Sequence, residues 1–322
     1  MRIATTVCAL AAVSMSAAAH AQEYPTKLIR MVVPGLPGGS ADIIARMIGA
    51  RLSERYGQPV VTENRSGAGQ MIGFDYLAKA PPDGHVLLLG TITYTTTVAT
   101  RASLPFDPAN DITGVTMIGQ GPLLLVVHPS LPVKSVKELI ALARSRPHTI
   151  NYASSGTGTI VHLVAEDFAS RAKIDIVHVP YKSIAPAVTD VVGGHVPMMF
   201  ASLPAAWHHV KSNRLRALGV TTAKRSQFMP GLPTIAEAGV PGFEASTWWG
   251  LFAQGRTPKE TVAKINAEIQ KIVVADDIKT RLNAEGAQPV SGMTSDAFNA
   301  LLRQEIASWR AIAKERKIQG EM

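Results

Sequence analysis

Cysteine is almost absent from the sequence: one residue of 322, Cys8, is a cysteine. Cys8 lies within residues 3–19, an uncharged run of apolar and small residues that follows a positive start and ends in AHA at residues 19–21. These features are typical of a secretory signal peptide, here residues 1–21 with cleavage near Ala21. A membrane anchor is the alternative, but the run is short and ends in a cleavage sequence. The mature chain would then have no cysteine, which excludes disulfides and cysteine metal sites.

Long hydrophobic runs are also missing beyond residue 21, where no apolar stretch is long enough to span a bilayer. We therefore expect an exported protein that is not embedded in a membrane, located in the periplasm of a Gram-negative bacterium or outside the cell. A mature chain of this length buries most of its apolar surface without disulfides. The length also suggests two domains.

Acidic residues are outnumbered, with 24 Asp and Glu against 32 Lys and Arg, which gives a formal net charge of +8. The basic residues are scattered, and the longest cluster is Lys314, Arg316 and Lys317. These three end a predicted helix, where cations complement the helix dipole and need no ligand. We therefore expect no nucleic-acid partner, although a net positive field attracts anionic solutes weakly at physiological salt.

The signatures of common enzymes are absent, since the sequence contains no G-x-S-x-G, no G-x-x-x-x-G-K-[ST] and no H-E-x-x-H. His208 and His209 are adjacent, so on a helix they would point to different faces, which is poor metal geometry and favours a surface pair. His162, His178 and His195 have no cluster of acidic residues nearby in the sequence and are interpreted as structural. We expect no enzyme activity, no metal and no cofactor.

Alternating strands and helices fill the mature chain. Apolar or alternating runs predict strands at residues 27–33, 59–63, 86–89, 123–127, 150–153, 176–179, 196–200, 216–220 and 246–252. Helical periodicity and capping patterns predict helices at residues 40–56, 74–79, 135–144, 159–171, 185–192, 258–274, 278–285 and 295–317. This alternation indicates an α/β protein whose helices cover mostly parallel sheets. The pair Trp248-Trp249 is interpreted as core or interdomain packing.

Two glycine-rich loops each connect a predicted strand to a predicted helix. The first contains Gly38, Gly39 and Ser40, and the second is a run of five small or hydroxyl-bearing residues: Ser155, Gly156, Thr157, Gly158 and Thr159. Such loops expose the free N–H groups of a helix N-terminus, which favours an anion. Both lie at the carboxyl ends of strands, where α/β sheets bind ligands. Together they predict a site for a dicarboxylate, or for one carboxylate and the far end of a longer acid. Ordinary tight turns are the alternative, and Asp42 is read as a dipole-complementing residue that also orders the first loop.

An ordered set of short motifs resembles one family of exported receptors. The motifs are IRMVVP at 29–34, VTENRSGAG at 61–69, NYASSGTG at 151–158, HVPYK at 178–182, PTIAEAG at 233–239 and WWGL at 248–251. They are similar to the substrate-binding proteins of tripartite tricarboxylate transporters, also called the Bug family of extracytoplasmic solute receptors. The resemblance runs over nearly the whole mature chain.

This resemblance implies a type II periplasmic binding protein fold, in which two α/β lobes surround a ligand cleft. Lobe one would comprise residues 22–122 and 250–322, and lobe two residues 123–249. Family members bind carboxylates through the two loops, and Thr91, Thr93, Tyr181 and Ser202 are expected to line the cleft as well. The chain departs from the family pattern at Ser183, Ile184 and Ala201, and residues 93–97 are unusually rich in hydroxyls, so the ligand itself cannot be carried over.

The expected function is capture of a small carboxylate-bearing molecule and its delivery to the permease subunits of a membrane transporter. We expect the receptor to act as a monomer and to signal by closure of its lobes. The alternative is a receptor that senses its ligand and engages a membrane sensor kinase. Both functions use the same cleft, so the sequence does not separate them.

Overall fold

The protein is described by a computed structural model that covers residues 24–319. The signal peptide prediction, with its cleavage near Ala21, lies outside the described residues. The strands are β1 (Ile29–Val33), β2 (Val60–Asn64), β3 (Val86–Thr91), β4 (Ile112–Gly121), β5 (Leu123–Val127), β6 (Asn151–Ser154), β7 (Val177–Pro180), β8 (Met198–Ser202), β9 (Arg216–Val220), β10 (Thr247–Gln254) and β11 (Gln288–Pro289).

The helices mostly alternate with these strands along the described residues. They are α1 (Ser40–Tyr56), α2 (Met71–Ala78), α3 (Thr93–Thr100), α4 (Val136–Ser145), α5 (Ile160–Ala172), α6 (Ile184–Val192), α7 (Leu203–Lys211), α8 (Lys259–Val273), α9 (Asp276–Ala284) and α10 (Ser295–Glu315). All nine predicted strands and all eight predicted helices are present, with bounds shifted by a few residues. None of the helices within residues 24–319 is long and apolar enough to cross a membrane.

Two β-sheets organise the chain. The first has the order β11-β4-β10-β3-β1-β2, and the second has the order β7-β6-β8-β5-β9. Only Pro122 separates β4 in the first sheet from β5 in the second, and β10 returns the chain to the first sheet. We propose two lobes, residues 22–122 with 250–322 and residues 123–249. Strand β10 begins at Thr247, so it spans the second of these boundaries.

The expectation of mostly parallel sheets is wrong, because five of the nine strand pairs are antiparallel. Strand β10 enters the first sheet from the second and runs antiparallel to both β3 and β4. Strand β5 likewise lies antiparallel between β8 and β9. In this chain, the two strands that follow a crossing between the sheets, β5 and β10, both run against their neighbours. Both sheets are therefore mixed, as large α/β sheets often are.

Four elements were not predicted: β4, β11, α3 and α7. Strand β4 contains Gly114, where a Cβ would lie 2.7 Å from the Phe298 ring. The glycine therefore lets α10 pack closely against β4. Glycine inside a strand also weakens the sequence pattern that predicts a strand. Helix α3 is rich in threonine, a residue that lowers helix propensity. Its hydroxyls instead bond within the helix, from Thr96 to the Thr93 carbonyl and from Thr100 to the Thr96 carbonyl.

The core of the first sheet holds an aromatic cluster that reaches α3 and α10. The Phe74 ring stacks on Tyr94 with 4.3 Å between centroids, and Phe252 meets Phe74 edge-on. Trp248 is fully buried and contacts Phe298 edge-on, which confirms the interpretation of the tryptophan pair as packing residues. Because aromatic side chains bury large areas, this cluster fixes α3 against the sheet.

Helix α10 carries a largely buried carboxyl group, that of Glu305. Its oxygens accept hydrogen bonds from Thr95 Oγ1 at 2.9 Å and from Trp248 Nε1 at 3.0 and 3.1 Å. Desolvation by burial raises the pKa of Glu305 to about 7, against an ordinary 4.5, although the two hydrogen bonds oppose the shift. Glu305 thus ties α10 to α3 and to the strand that returns from the second sheet.

The titration of Glu305 predicts a pH-dependent stability. Because its pKa is raised in the folded state, its contribution to stability is complete below about pH 4.5 and is lost as the pH rises through about 7. Glu305→Gln keeps an acceptor for Trp248 but does not ionise. The melting temperature of the variant, relative to the unchanged protein, should rise between pH 5 and pH 8. Glu260→Gln, at an exposed position of α8, is the control for the loss of one carboxyl group. If the difference in melting temperature between Glu305→Gln and the unchanged protein did not change with pH, the raised pKa of Glu305 would be contradicted.

Candidate functional site

A cavity of about 270 Å³ lies between α3 of the first sheet and the β6–α5 loop of the second. Two segments near the first sheet line it, with Ala68 and Gly69 in one and Thr93, Thr97, Thr100 and Arg101 in the other. One segment near the second sheet completes the lining: Ser155, Gly156, Thr157, Gly158 and Thr159. The volume lies just below the range of pockets for drug-sized ligands, which indicates a small ligand.

The cavity brings together half of the predicted site residues: Thr93, Ser155, Gly156, Thr157, Gly158 and Thr159. The other six do not belong to this lining: Gly38, Gly39, Ser40, Thr91, Tyr181 and Ser202. Contact of these six with a ligand stays a prediction. The lining also contains five residues that the sequence did not identify as site residues, among them Arg101 and Thr97. Thr97 belonged to the hydroxyl-rich segment, but nothing marked Arg101 as close to the loop at residues 155–159.

Local hydrogen bonds shape the β6–α5 loop. Ser154 Oγ accepts a hydrogen bond from the Gly156 N–H at 3.1 Å, and the Thr159 hydroxyl donates to the Gly156 carbonyl at 2.7 Å. Gly156 and Gly158 have φ angles of 126° and 77°, which favour glycine at both positions. The loop leads directly into α5, whose first intrahelical bond runs from Leu163 N to Thr159 O. The N–H groups before Leu163 in the first turn therefore lack intrahelical partners.

Two stacked histidines stand behind this loop. The rings of His162 and His178 lie 3.8 Å apart and nearly parallel, and His162 Nδ1 accepts a hydrogen bond from the Gly158 N–H at 3.0 Å. His178 Nε2 lies 2.6 Å from Ser154 Oγ. Burial lowers the pKa of both side chains, that of His162 to about 3. Both rings are therefore neutral at physiological pH, and His162 carries its proton on Nε2.

The histidine stack rests on a further buried network. The Tyr152 ring stacks on His178 with 5.1 Å between centroids, and its hydroxyl donates to Glu166 Oε1 at 2.5 Å. Arg316, just after α10, donates from Nε to Glu166 Oε2 at 2.5 Å. Because buried polar groups are costly unless paired, this chain of bonds fixes the position of the loop. The structural interpretation of His162 and His178 is confirmed.

The interpretation of the other histidines needs correction. His195 is exposed, because it follows the Gly193-Gly194 turn rather than packing against a strand. His208 and His209 do not point to separate faces, since their ring centroids are 3.7 Å apart. Within residues 24–319 no group of three or more His, Cys, Asp or Glu side chains is arranged to hold a metal ion.

A left-handed turn forms the opposite wall of the cavity. Ala68, Gly69 and Gln70 have φ angles of 48°, 60° and 75°, a conformation that is strained for the two residues with side chains. Hydrogen bonds from Gln70 Nε2 to Thr91 Oγ1 and from Thr97 Oγ1 to the Gly69 carbonyl hold this turn. Strained backbone of this kind often marks a functional site. Thr91 therefore supports the cavity wall through Gln70.

The hydroxyl groups of the lining divide into two sets. Thr97, Thr100 and Thr159 donate their hydroxyl protons to backbone carbonyls. The hydroxyls of Thr93, Ser155 and Thr157 have no hydrogen-bond partner among residues 24–319, and each carries a proton to donate. Arg101 is the one ionisable residue among the eleven that line the cavity. A lining of free donors, one cation and no acid suits an anion.

The first glycine-rich loop is held by Asp42. Asp42 Oδ2 accepts hydrogen bonds from the Gly38 N–H at 3.0 Å and from Arg46 Nε at 3.1 Å. The Arg46 guanidinium lowers the pKa of the Asp42 carboxyl below its ordinary value. The prediction that Asp42 orders this loop is confirmed. Next to it, the Ser40 hydroxyl accepts a hydrogen bond from Trp249 Nε1 at 3.3 Å.

Tyr181 and Ser202 have roles of their own in the second sheet's region. The Tyr181 hydroxyl donates to Asp190 Oδ2 at 2.6 Å, and Ser202 precedes the first turn of α7. A larger cavity, of about 710 Å³, lies in the same region between α7, β9 and residues 229–232. Its one ionisable lining residue, Arg216, already donates to the Val133 carbonyl. We therefore place the candidate site in the smaller cavity, where donors remain free.

Comparison with known proteins identifies relatives over almost the whole chain. A sequence model described as "Tripartite tricarboxylate transporter family receptor" matches residues 44–318. A UPF0065 protein in the tcbD-tcbE intergenic region of a Pseudomonas species is 37% identical over 306 residues, covering 95% of this chain and 91% of the relative. Protein BugT of Bordetella pertussis is 36% identical over 308 residues, covering 95% and 94%.

Solved structures with the same fold include two with bound dicarboxylates. Rpa4515 of R. palustris with adipate has a TM-score of 0.80 and 39% identity, covering 93% of this chain and all of that one. MatC (Rpa3494) of Rhodopseudomonas palustris with bound malate has a TM-score of 0.75 and 31% identity, covering 90% and 99%. The expected fold is confirmed: this is a two-lobed α/β protein of the periplasmic binding protein type.

The hydrogen bond from Gly158 to His162 predicts the effect of two substitutions. His162→Ala leaves the buried Gly158 N–H without an acceptor, which should lower the free energy of unfolding by about 1–3 kcal/mol. His162→Asn offers a side-chain oxygen and should lose less. Chemical denaturation at pH 7.5 measures both. Equal stability of the alanine variant and the unchanged protein would show that this bond does not hold the loop.

The lowered pKa of His162 adds a pH dependence to this comparison. A group with a depressed folded pKa contributes stability above its ordinary value, here 6.5, and loses it as the pH falls towards 3. Relative to His162→Asn, the unchanged protein should therefore lose stability as the pH is lowered from 6.5 to 4.

Proposed function

Because the chain belongs to the receptor family of tripartite tricarboxylate transporters, we propose that it captures a small carboxylate between α3 and the β6–α5 loop and delivers it to the membrane permease subunits. The observation that carries this proposal is the lining of the cavity. Three hydroxyls with free protons and the guanidinium of Arg101 line a space without any acidic side chain, next to the N-terminus of α5.

The chemistry of the lining suits a carboxylate better than a neutral solute. Hydrogen bonds that end on a charged acceptor are about twice as strong as neutral ones. The free hydroxyls could donate to a neutral solute as well, but the lining also has one cation and no acid, which favours a negatively charged ligand. The adipate and malate that two structural neighbours hold are of the same chemical class. This agreement supports a carboxylate as the ligand of this chain.

Lobe closure is the proposed signal to the permease. The cavity is lined by residues 68–69 and 93–101 from the first sheet's region and by residues 155–159 from the second's. A ligand that contacts both walls binds the closed arrangement better than an open one, so it shifts the population towards closure. The crossings at Pro122 and before β10 are the places where a hinge movement would bend the chain.

Export to the periplasm is part of the proposal. It is supported by the composition of residues 1–21, whose features are those of a signal peptide, and by the description of structural neighbours as a periplasmic transporter and as the periplasmic binding protein BugD. In that compartment the receptor would meet its ligand before the permease does.

Thr157 provides a direct test of the binding site. Thr157→Val keeps the shape of the side chain but removes its free hydroxyl, which should weaken carboxylate binding by about 1–3 kcal/mol if the hydroxyl donates to the charge. Isothermal titration calorimetry against succinate, adipate, malate and citrate measures the loss. Thr280→Val, in an exposed position of α9, is the matched control and should bind normally. Unchanged affinity in Thr157→Val would remove Thr157 from the site.

Transport is tested in cells that lack the receptor gene. Uptake of the radiolabelled carboxylate that binds best should fall to background and return when the unchanged gene is restored. Restoration with the Thr157→Val gene should be incomplete at ligand concentrations below the Kd. Normal uptake without the receptor, together with loss of a transcriptional response to the same carboxylate, would favour the sensing function instead.

A further inference from the structure

Arg101 is a cation without a counter-charge at the edge of the proposed binding cavity. It directly follows α3, and its backbone N–H donates to the Thr97 carbonyl. Among residues 24–319 its guanidinium forms no ion pair and no hydrogen bond. By contrast, Arg46, Arg51 and Arg65 in the same region each pair with a carboxylate. Because an ion-pair partner is available to those arginines and not to this one, Arg101 stays available for a ligand.

Two parts of the cavity lining, the β6–α5 loop and the end of α3, differ in their electrostatic character. The β6–α5 loop leads into the N-terminus of α5, where the helix dipole favours one negative charge. Arg101 stands at the C-terminus of α3, where the dipole alone would repel a second negative charge. A guanidinium at that position makes the local electrostatic potential positive. It also offers a planar pair of N–H donors that matches the two oxygens of a carboxylate.

We propose that Arg101 binds the second carboxylate of a short dicarboxylate whose first carboxylate lies at Ser155 and Thr157 of the β6–α5 loop. This inference rests on the proposed function and specifies its substrate class. A monocarboxylate would satisfy the loop but leave Arg101 without a partner, whereas a dicarboxylate satisfies both ends. Arg101 therefore sets the preference for dicarboxylates over monocarboxylates of the same length.

A purely structural role for Arg101 makes a different prediction. A cation that only complements the C-terminus of α3 would stabilise the helix equally with any ligand. Its removal would lower the melting temperature, and would weaken mono- and dicarboxylates by the same factor. The ratio of the two affinities is therefore the readout that separates the two roles.

The experiment measures Kd by calorimetry for the α,ω-dicarboxylates from succinate to suberate and for the monocarboxylates from butyrate to octanoate. The unchanged protein should bind at least one dicarboxylate about tenfold or more tightly than the monocarboxylate of equal carbon number. Arg101→Gln should abolish that ratio and leave monocarboxylate affinity nearly unchanged. Arg310→Gln, at an exposed position of α10, removes the same charge elsewhere and should retain the ratio.

Arg101→Lys is the second variant, which keeps the positive charge but loses the planar guanidinium. Its ratio of dicarboxylate to monocarboxylate affinity should lie between those of the unchanged protein and Arg101→Gln. Two results would overturn the role of Arg101 but leave carboxylate capture intact. One is that the affinity ratio is retained in Arg101→Gln, and the other is that monocarboxylates bind the unchanged protein as tightly as dicarboxylates. If no acid of either series binds the unchanged protein, the proposed function fails together with this inference. If Arg101→Gln does not fold, Arg101→Lys decides, because a ratio equal to that of the unchanged protein overturns the role of the planar guanidinium.

Discussion

The return of the chain through β10 is the constraint on which both halves of the molecule depend. β10 lies between β3 and β4 and pairs with both, so the first sheet is complete only after the chain has built the second. Trp248, at the start of β10, is fully buried, and its indole donates to Glu305 of α10, which also holds Thr95 of α3. The helix that lines the cavity is thus positioned by the last helix of the chain. The same last segment supports the other wall, because Arg316 pairs with Glu166 beneath the histidine stack.

The proposed anion site consists largely of neutral groups. The loop at residues 155–159 is held by a serine, two neutral histidines and a threonine hydroxyl, and these bonds leave other donors of the loop free for a ligand. Burial keeps the histidines uncharged across physiological pH, so the shape of the loop does not depend on their titration. Fixed dipoles cost no reorganisation when the ligand arrives, which is the advantage of a preorganised site over a flexible charged one.

The sequence predicts the strands and the second loop well because their signals are local. Apolar runs such as residues 123–127 and the glycine-rich step from Ser154 to Thr159 each specify their own conformation. The unpredicted parts depend on distant contacts. Helix α3 is a threonine-rich segment that burial against Phe74 and Phe252 makes helical, against its propensity. Arg101 joins the cavity only because that helix ends beside a loop more than fifty residues further along the chain.

The most direct measurement is a crystal structure of the protein with the carboxylate that most raises its melting temperature. We expect density for the ligand between α3 and the β6–α5 loop, with a carboxylate oxygen within hydrogen-bond distance of Ser155 or Thr157. Ligand density in the larger cavity between α7 and β9, with the space between α3 and residues 155–159 filled only by solvent, would contradict the assignment of the binding site.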